Sequence, residues 1–219
     1  MHSISNYKHN FLLIAFICTS FFSAFAQKDS IDFYHEKISR LTHSLNFSEN
    51  TPEYIDNLNQ LSYYQRLIEQ DSMLVNSERA LALSKKNKYI QGELEALANL
   101  ATLYLYTGQT DKSIEFSLET IKNPELSSFP KTEMKIYNIL GQGYYFKNDY
   151  PSTYTQFLHT LAIAEKNSDQ FHLFRMNMNL GTIISRLEDY EEALKYYAVA
   201  FKHVKNLKDP TKEAMMLSN

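Results

Sequence analysis

The sequence predicts an all-α protein, an α-solenoid built from pairs of helices, and three observations support this fold class. The chain of 219 residues has five Gly and five Pro, too few for the many turns of a β-sandwich or a barrel. Apolar residues recur at three- and four-residue spacing along most of its length, which is typical of amphipathic helices. The pattern itself repeats every 40 residues, which indicates a helical unit used several times.

The first residues differ from the rest and predict a cleavable signal peptide at 1–26. Lys8 is their only charged residue, and the apolar run at 11–17 is too short to span a bilayer. Ala24 and Ala26 place small residues where a signal peptidase requires them, and the polar Gln27 follows. We therefore expect an exported protein of the periplasm or cell envelope, with an uncleaved membrane anchor as the alternative. Cys18, the only cysteine, would be lost with the signal.

Four repeats follow, placed at about 54–93, 94–133, 134–173 and 174–213. The dipeptides that mark their register are Leu100-Ala101, Leu140-Gly141 and Leu180-Gly181, with Leu61 one further step back. Sixteen residues after Leu61 and Ala101 stand Ser77 and Ser117, whereas Phe157 and Tyr197 stand there in the last two repeats. We expect Gly141 and Gly181 to lie where a neighbouring backbone approaches the helix closely.

Turn residues predict two helices in each repeat. Asp149 and Asp189 are candidate N-caps of second helices, and Pro151 suits a first helical turn. Gly108 is suited to a left-handed cap at the end of a first helix.

These residues resemble the motif of the tetratricopeptide-repeat (TPR) family, which has a Leu-Gly pair, an Asp-Tyr turn and a second helix with alternating Ala and aromatic residues. The fourth repeat matches it as Leu180-Gly181, Asp189-Tyr190, Ala193, Tyr197 and Ala200. The resemblance covers residues 52–210 and implies a right-handed superhelix that binds other proteins. A period of 40, in place of the usual 34 residues, resembles the long-period variants found in exported regions of bacterial sensors and regulators.

Both ends of the repeat array carry their own signals. An apolar stripe that includes Tyr34, Ile38 and Leu45 predicts a capping helix at 29–46, which would cover the first repeat. Residues 211–219 resemble the start of a truncated fifth repeat, so we expect the chain to be part of a longer one. Without that repeat, Leu194 and Phe201 should be partly exposed.

No pattern in the sequence indicates an enzyme, a cofactor or a metal site. The His residues are dispersed, and the only cysteine, Cys18, lies within the predicted signal peptide. Gly141-Gln142-Gly143 is followed by two Tyr within a predicted helix, which excludes a dinucleotide-binding fingerprint. A formal charge of −3 offers no basic field for nucleic acid. We expect contact with a membrane only through the signal peptide or a region beyond residue 219.

In a TPR superhelix the first helix of each repeat lines the concave face, and this places the candidate binding residues. By register they are Arg66, Glu95, Tyr106, Asn138, Gln142, Tyr145, Phe146, Arg175 and Arg186. The same register also places Ser62 and Thr102 on that face. Arg, amide and aromatic side chains suit an extended peptide with some acidic character. The predicted partner is therefore a protein or peptide.

Two classes of function fit these features. The favoured one is an exported interaction module, the sensory part of a longer envelope signalling regulator such as a membrane-bound histidine kinase or transcription factor. The alternative is a free-standing envelope scaffold or assembly factor. A glycan-binding TPR protein is a third, weaker possibility, because TPR surfaces serve many unrelated partners.

Overall fold

The computed structural model describes residues 31–45 and 50–205. The predicted signal peptide at 1–26 and the start of a fifth repeat at 211–219 lie outside these residues. Within the described ranges no helix is both long and apolar enough to cross a lipid bilayer.

The described residues form nine α-helices and one short 3-10 helix, and none of them lies in a strand. Helix α1 covers 31–44. The others are α2 (Pro52–Gln65), α3 (Gln70–Asn87), α4 (Ile90–Tyr106), α5 (Thr110–Ile121), α6 (Pro130–Phe146), α7 (Tyr150–Lys166), α8 (Gln170–Arg186) and α9 (Tyr190–Lys205), with the 3-10 helix at Leu126–Ser128.

The helices pack in sequence as four antiparallel pairs, and α4 also lies against both α2 and α6. This arrangement confirms the predicted all-α solenoid. The first helices of the pairs begin at Pro52, Ile90, Pro130 and Gln170, ahead of the boundaries predicted at 54, 94, 134 and 174. The difference arises because the repeated Leu-Gly pair marks the middle of a helix and leaves its first turn undetermined.

Local side-chain chemistry accounts for the helix ends. The Asp149 carboxylate accepts the backbone N–H of Ser152 at 3.1 Å, and Asp189 accepts that of Glu192 at the same distance, so both predicted N-caps are confirmed. Gly108 has φ +76°, which confirms the left-handed cap after α4. Glu188 occupies the same place after α8 with φ +67°.

The two repeat glycines make room for rings. A Cβ on Gly141 would lie 2.6 Å from Cε1 of Phe157, and one on Gly181 would lie 2.6 Å from Cε1 of Tyr197. The expected close contact exists, but its other side is an aromatic ring of the same repeat. The nearest group is thus a side chain of the second helix, at the place where a backbone was expected. Residues with a side chain at these positions would need the ring to move.

Helix α1 packs on the first repeat through aromatic and apolar contacts. The rings of Phe33 and Tyr34 meet Tyr64 edge to face, with centroids 6.1 and 5.9 Å apart. Leu45 packs against the buried cluster that contains Tyr54 and Leu58. Helix α1 therefore packs on the first repeat, whereas the bounds predicted for the capping helix, 29–46, extend beyond the described residues.

Apolar side chains stay uncovered on α9. Leu194 is 66% exposed and Phe201 is 61% exposed, which confirms the exposure predicted for them. The same helix buries Ala193 and Ala200, so its two faces differ sharply in burial.

Candidate functional site

Three consecutive first helices, α2, α4 and α6, form an open recess of about 290 Å³, called here the recess. Polar and aromatic side chains line it: Asp56, Asn59, Gln60, Tyr63, Tyr64, Gln91, Glu95 and Lys135. It lies on the surface that the first helices share, called here the first-helix face. A concave surface with a few converging polar groups is the usual form of a ligand site.

Buried amides fix the walls of the recess. The Asn59 side chain donates to the carbonyl of Gly92 at 2.9 Å, and the Asn99 side chain donates to the carbonyl of Asn59 at 2.9 Å. Lys135 then donates to Oδ1 of Asn99 at 2.7 Å. One chain of hydrogen bonds thus joins α2, α4 and α6, and a buried network of this kind is rigid when all its members are satisfied.

Glu95 is held from the next first helix. It accepts the hydroxyl of Thr132 at 2.5 Å, and its other oxygen lies 3.6 Å from Nζ of Lys135. The side chains of Lys135 and Glu95 are 20% and 28% exposed, so this pair is partly shielded from solvent. A shielded pair of charges is less weakened by salt than a surface pair.

Asp56 is the second carboxylate of the recess. It accepts the hydroxyl of Tyr89 at 2.9 Å. Burial raises the pKa of Asp56, the hydrogen bond from Tyr89 opposes that change, and the charge of Glu95 adds to it. Burial and the bond to Asp56 raise the pKa of Tyr89 to about 12. Two carboxylates therefore lie close enough to repel each other electrostatically.

Aromatic and cationic groups border the recess. Tyr63 is 37% exposed, with the Arg66 guanidinium 3.9 Å from its ring centroid and the Lys135 ammonium 5.0 Å from it. Arg66 also donates to the hydroxyl of Tyr34 at 2.5 Å and to the carbonyl of Tyr63 at 2.7 Å. The predicted binding residue Arg66 thus connects α1 to the end of α2.

Arg175, on α8, has a different environment. Its guanidinium lies 5.4 Å from the ring centroid of Phe171. Within the described part of the chain it makes no hydrogen bond and no ion pair. The predicted residue Arg186 is exposed at the end of the same helix. The first-helix face therefore carries unpaired positive charge on α8.

Comparison with known proteins gives the fold its name. No family model matches the sequence, and no curated protein matches it. The solved structure of a Rap protein in complex with Competence and Sporulation Factor is similar, with TM-score 0.74 and 17% identity over 88% of this chain. A kinesin light chain-like protein from Podosopora anserina, with nearly identical TPR-like repeats, has TM-score 0.52 and 12% identity over 85% of this chain and 95% of its own.

This chain has a TPR fold. It covers 54% of the Rap protein, about half the length of that chain.

Two of the predicted aromatic residues end their first helices on the TPR surface. Tyr106 is 48% exposed and Phe146 is 60% exposed, and they occupy the same place in successive repeats. Tyr145 is half-buried instead, and its ring packs against the cluster of Phe157, Met176, Leu180 and Ile183. Tyr106 and Phe146 are therefore exposed on this face, whereas the ring of Tyr145 belongs to the core packing.

Two amides of the prediction lie on α6. Asn138 and Gln142 are partly exposed, and Oδ1 of Asn138 is buried without a hydrogen-bond partner in the described structure. Neither residue lines the recess, of which Glu95 is the only member among the nine predicted residues.

Ser62 and Thr102 do not lie on the first-helix face, where the register of the repeats had placed them. Both are buried, and their hydroxyls donate to the carbonyls of Leu58 and Ala98, one helical turn earlier. Short hydroxyl side chains often satisfy themselves in this way within helices, so a polar residue type does not imply an exposed position.

Sequence reasoning missed most of the recess, namely Asp56, Asn59, Gln60, Tyr63 and Gln91. A signal existed for one part of it, because Asn59, Asn99 and Asn179 share one position of the 40-residue repeat, with Ile139 at that position in the third repeat. Among the described residues no group of three His, Cys, Asp or Glu side chains could hold a metal ion.

Proposed function

We propose that this chain is an exported interaction module that binds an extended segment of a protein or peptide along its first-helix face. The observation that carries the proposal is the recess across α2, α4 and α6, whose polar groups are held in place before any ligand arrives. Preordered groups lose little conformational entropy on binding, so their hydrogen bonds add to affinity.

Unused hydrogen-bonding capacity in the recess supports the same proposal. Gln60 and Gln91 are exposed at its edge and make no hydrogen bond with any described residue. A glutamine side chain offers both a donor and an acceptor, which is what the N–H and C=O groups of an extended peptide need. The similar Rap protein has been solved in complex with a partner factor, so the fold can carry a bound partner.

Selection from a displayed library of random 12-residue peptides tests the proposal. We expect the purified chain to enrich a family of peptides, and Gln91→Trp to abolish their binding, because the indole would fill the recess. Glu115→Trp, on an exposed position of α5, is the matched control and should bind as the parent does. Peptides that bind all three proteins equally would place the site elsewhere.

The wider role we propose is the sensory part of a longer envelope regulator. The signal-like segment at 1–26 supports the envelope location of that role. Mass spectrometry of the envelope fraction should find a mature N-terminus at Gln27. An intact N-terminus there would make the segment an anchor, and a reading frame that ends in a polar capping helix would favour the free-standing scaffold.

A further inference from the structure

We infer that the ligand of the first-helix face carries a basic group that lies in the recess and a carboxylate that lies on Arg175. This inference rests on the proposed function and adds to it the charge pattern of the peptide.

The residues that line the recess carry one more negative than positive charge, and Arg66 at its border is held by the Tyr63 ring and the Tyr34 hydroxyl. Asp56 and Glu95 face it with Lys135 as their only counter-charge among the lining residues, and Lys135 is already shared between Glu95 and Asn99. Asp56 has the Tyr89 hydroxyl as its partner, which is neutral. An ammonium or guanidinium group entering the recess would therefore meet, in Asp56, a carboxylate with no ion pair of its own.

The opposite charge arises on α8 from the repeat itself. Glu95, Lys135 and Arg175 occupy the same position in three successive first helices, 40 residues apart. The first step pairs an acid with a base, at 3.6 Å. In the next repeat this position is Arg175, which follows another base, Lys135, so none of the three equivalent residues is an acid that could pair with Arg175. A carboxylate of the ligand could pair with Arg175 instead, because a guanidinium binds carboxylates through two parallel hydrogen bonds.

The distance between the two subsites sets the spacing in the ligand. The recess acids lie on α2 and α4, and Arg175 lies on α8, about two and a half helix steps away. At roughly 8–10 Å between packed helices this is at least about 20–25 Å, because α6 and α8 lie in less close contact than α4 does with α2 and α6. An extended chain covers that distance in at least about six or seven residues. The carboxylate can be an acidic side chain or the C-terminus of the peptide.

A charge-exchange selection tests the inference. Peptides are selected from the random library against the parent chain and against the double variant Glu95→Lys with Arg175→Glu. The parent should enrich a basic residue at least about six or seven positions from an acidic one, and the double variant should not. For a synthetic peptide from the parent selection, Arg175→Glu should weaken binding about tenfold or more. Lys202→Glu and Glu115→Lys, both on exposed second-helix positions, should leave affinity unchanged.

Further arms separate the sources of the carboxylate and guard against misfolding. If amidation of the peptide C-terminus lowers affinity as much as Arg175→Glu does, the C-terminus is the group on Arg175; if it does not, an acidic side chain is. Glu95→Gln removes the charge and keeps an acceptor for Thr132, so it replaces Glu95→Lys if that variant does not fold.

Two results would overturn the inference and leave the proposed function standing. The peptides that bind the first-helix face could lack paired charges, or Arg175→Glu could leave their affinities unchanged. Failure to enrich any peptide blocked by Gln91→Trp would overturn both.

Discussion

The two halves of the solenoid hold their repeats together in different ways. From α2 to α6, polar side chains on the first-helix face connect one repeat to the next, through Asn59, Asn99 and Lys135. From α6 to α9 the described residues show no such bond between first helices, and the polar link between repeats is instead Tyr154 to Tyr196 on the second helices, at 2.9 Å. In the N-terminal half, polar contacts between repeats thus lie on the first-helix face, whereas the described residues of the C-terminal half show none there.

The cores of the two halves differ in a matching way. In the first two repeats, Leu61 and Ala101 on the first helix correspond to Ser77 and Ser117 on the second. In the last two, Gly141 and Gly181 on the first helix lie directly against Phe157 and Tyr197 on the second. The first helix of the N-terminal half therefore has a side chain at this place and the second helix a small one, whereas in the C-terminal half the second helix has a large ring, so that the space between the helices is filled in both. Each of the following predictions probes one side of this comparison.

The largest effect is expected for the ring that fills the space beside Gly141. Phe157→Ala should lower the free energy of unfolding by about 3–5 kcal/mol, because Phe157 is 3% exposed and the glycine beside it cannot fill the cavity. Ser117→Ala, at the same place one repeat earlier, is the control and should cost about 1 kcal/mol, the value of its one hydrogen bond. Urea denaturation measures both, and equal losses would show that the halves do not differ.

Overpacking the same kind of contact should cost somewhat less. Gly181→Leu should lower the free energy of unfolding by about 1–3 kcal/mol, because the new side chain must displace the ring of Tyr197. Arg186→Leu, at an exposed position of the same helix, should change it little. A melting temperature that Gly181→Leu leaves unchanged would mean that α8 and α9 are not packed as described.

The polar network of the N-terminal half is tested by Asn99→Leu. This change removes the hydrogen bonds that join Asn99 to the carbonyl of Asn59 and to the ammonium of Lys135, so we expect a loss of about 1–3 kcal/mol. Asn179→Leu, at the equivalent place on α8, makes no hydrogen bond in the described structure and should be nearly neutral. If the two variants lose the same stability, the network does not distinguish the halves.

The smallest effect is expected in the turn after α8. Glu188 has φ +67°, a conformation that costs an L-residue about 1 kcal/mol or more. Glu188→Gly should therefore stabilise the last repeat by about 1 kcal/mol, whereas Gly108→Ala, at the equivalent turn after α4, should destabilise by a similar amount. Melting temperatures that shift in the same direction for both would contradict this reading of the turns.

Periodic features could be predicted from the sequence, and contacts between repeats could not. The 40-residue pattern, the caps at Asp149 and Asp189 and the left-handed Gly108 depend on local chemistry, and the structure confirms them. The recess depends on how far α2 lies from α4 and on which way each polar side chain turns. The register of the repeats therefore placed Ser62 and Thr102 on the first-helix face, although both side chains are buried and their hydroxyls are satisfied within their own helices.

Tyr145 shows the same limit from the apolar side. Its register placed it with Phe146 on the groove, but its ring packs against the core cluster around Phe157. An alanine at this position would lower stability as well as any affinity, so Tyr145→Ala does not isolate binding. Gln91 and Arg175 serve that purpose better, because neither makes a hydrogen bond with a described residue.

Hydrogen exchange of the chain with and without a selected peptide tests the central claim most directly, namely that the first helices form the binding face. We expect added protection in α2, α4, α6 and α8, which carry the recess and Arg175, and unchanged exchange in the exposed turns of α3, α5, α7 and α9. In the free chain exchange should be fastest after about Ala193, where α9 is uncovered. Protection confined to the second helices, or to the exposed apolar face of α9 around Leu194 and Phe201, would contradict the account.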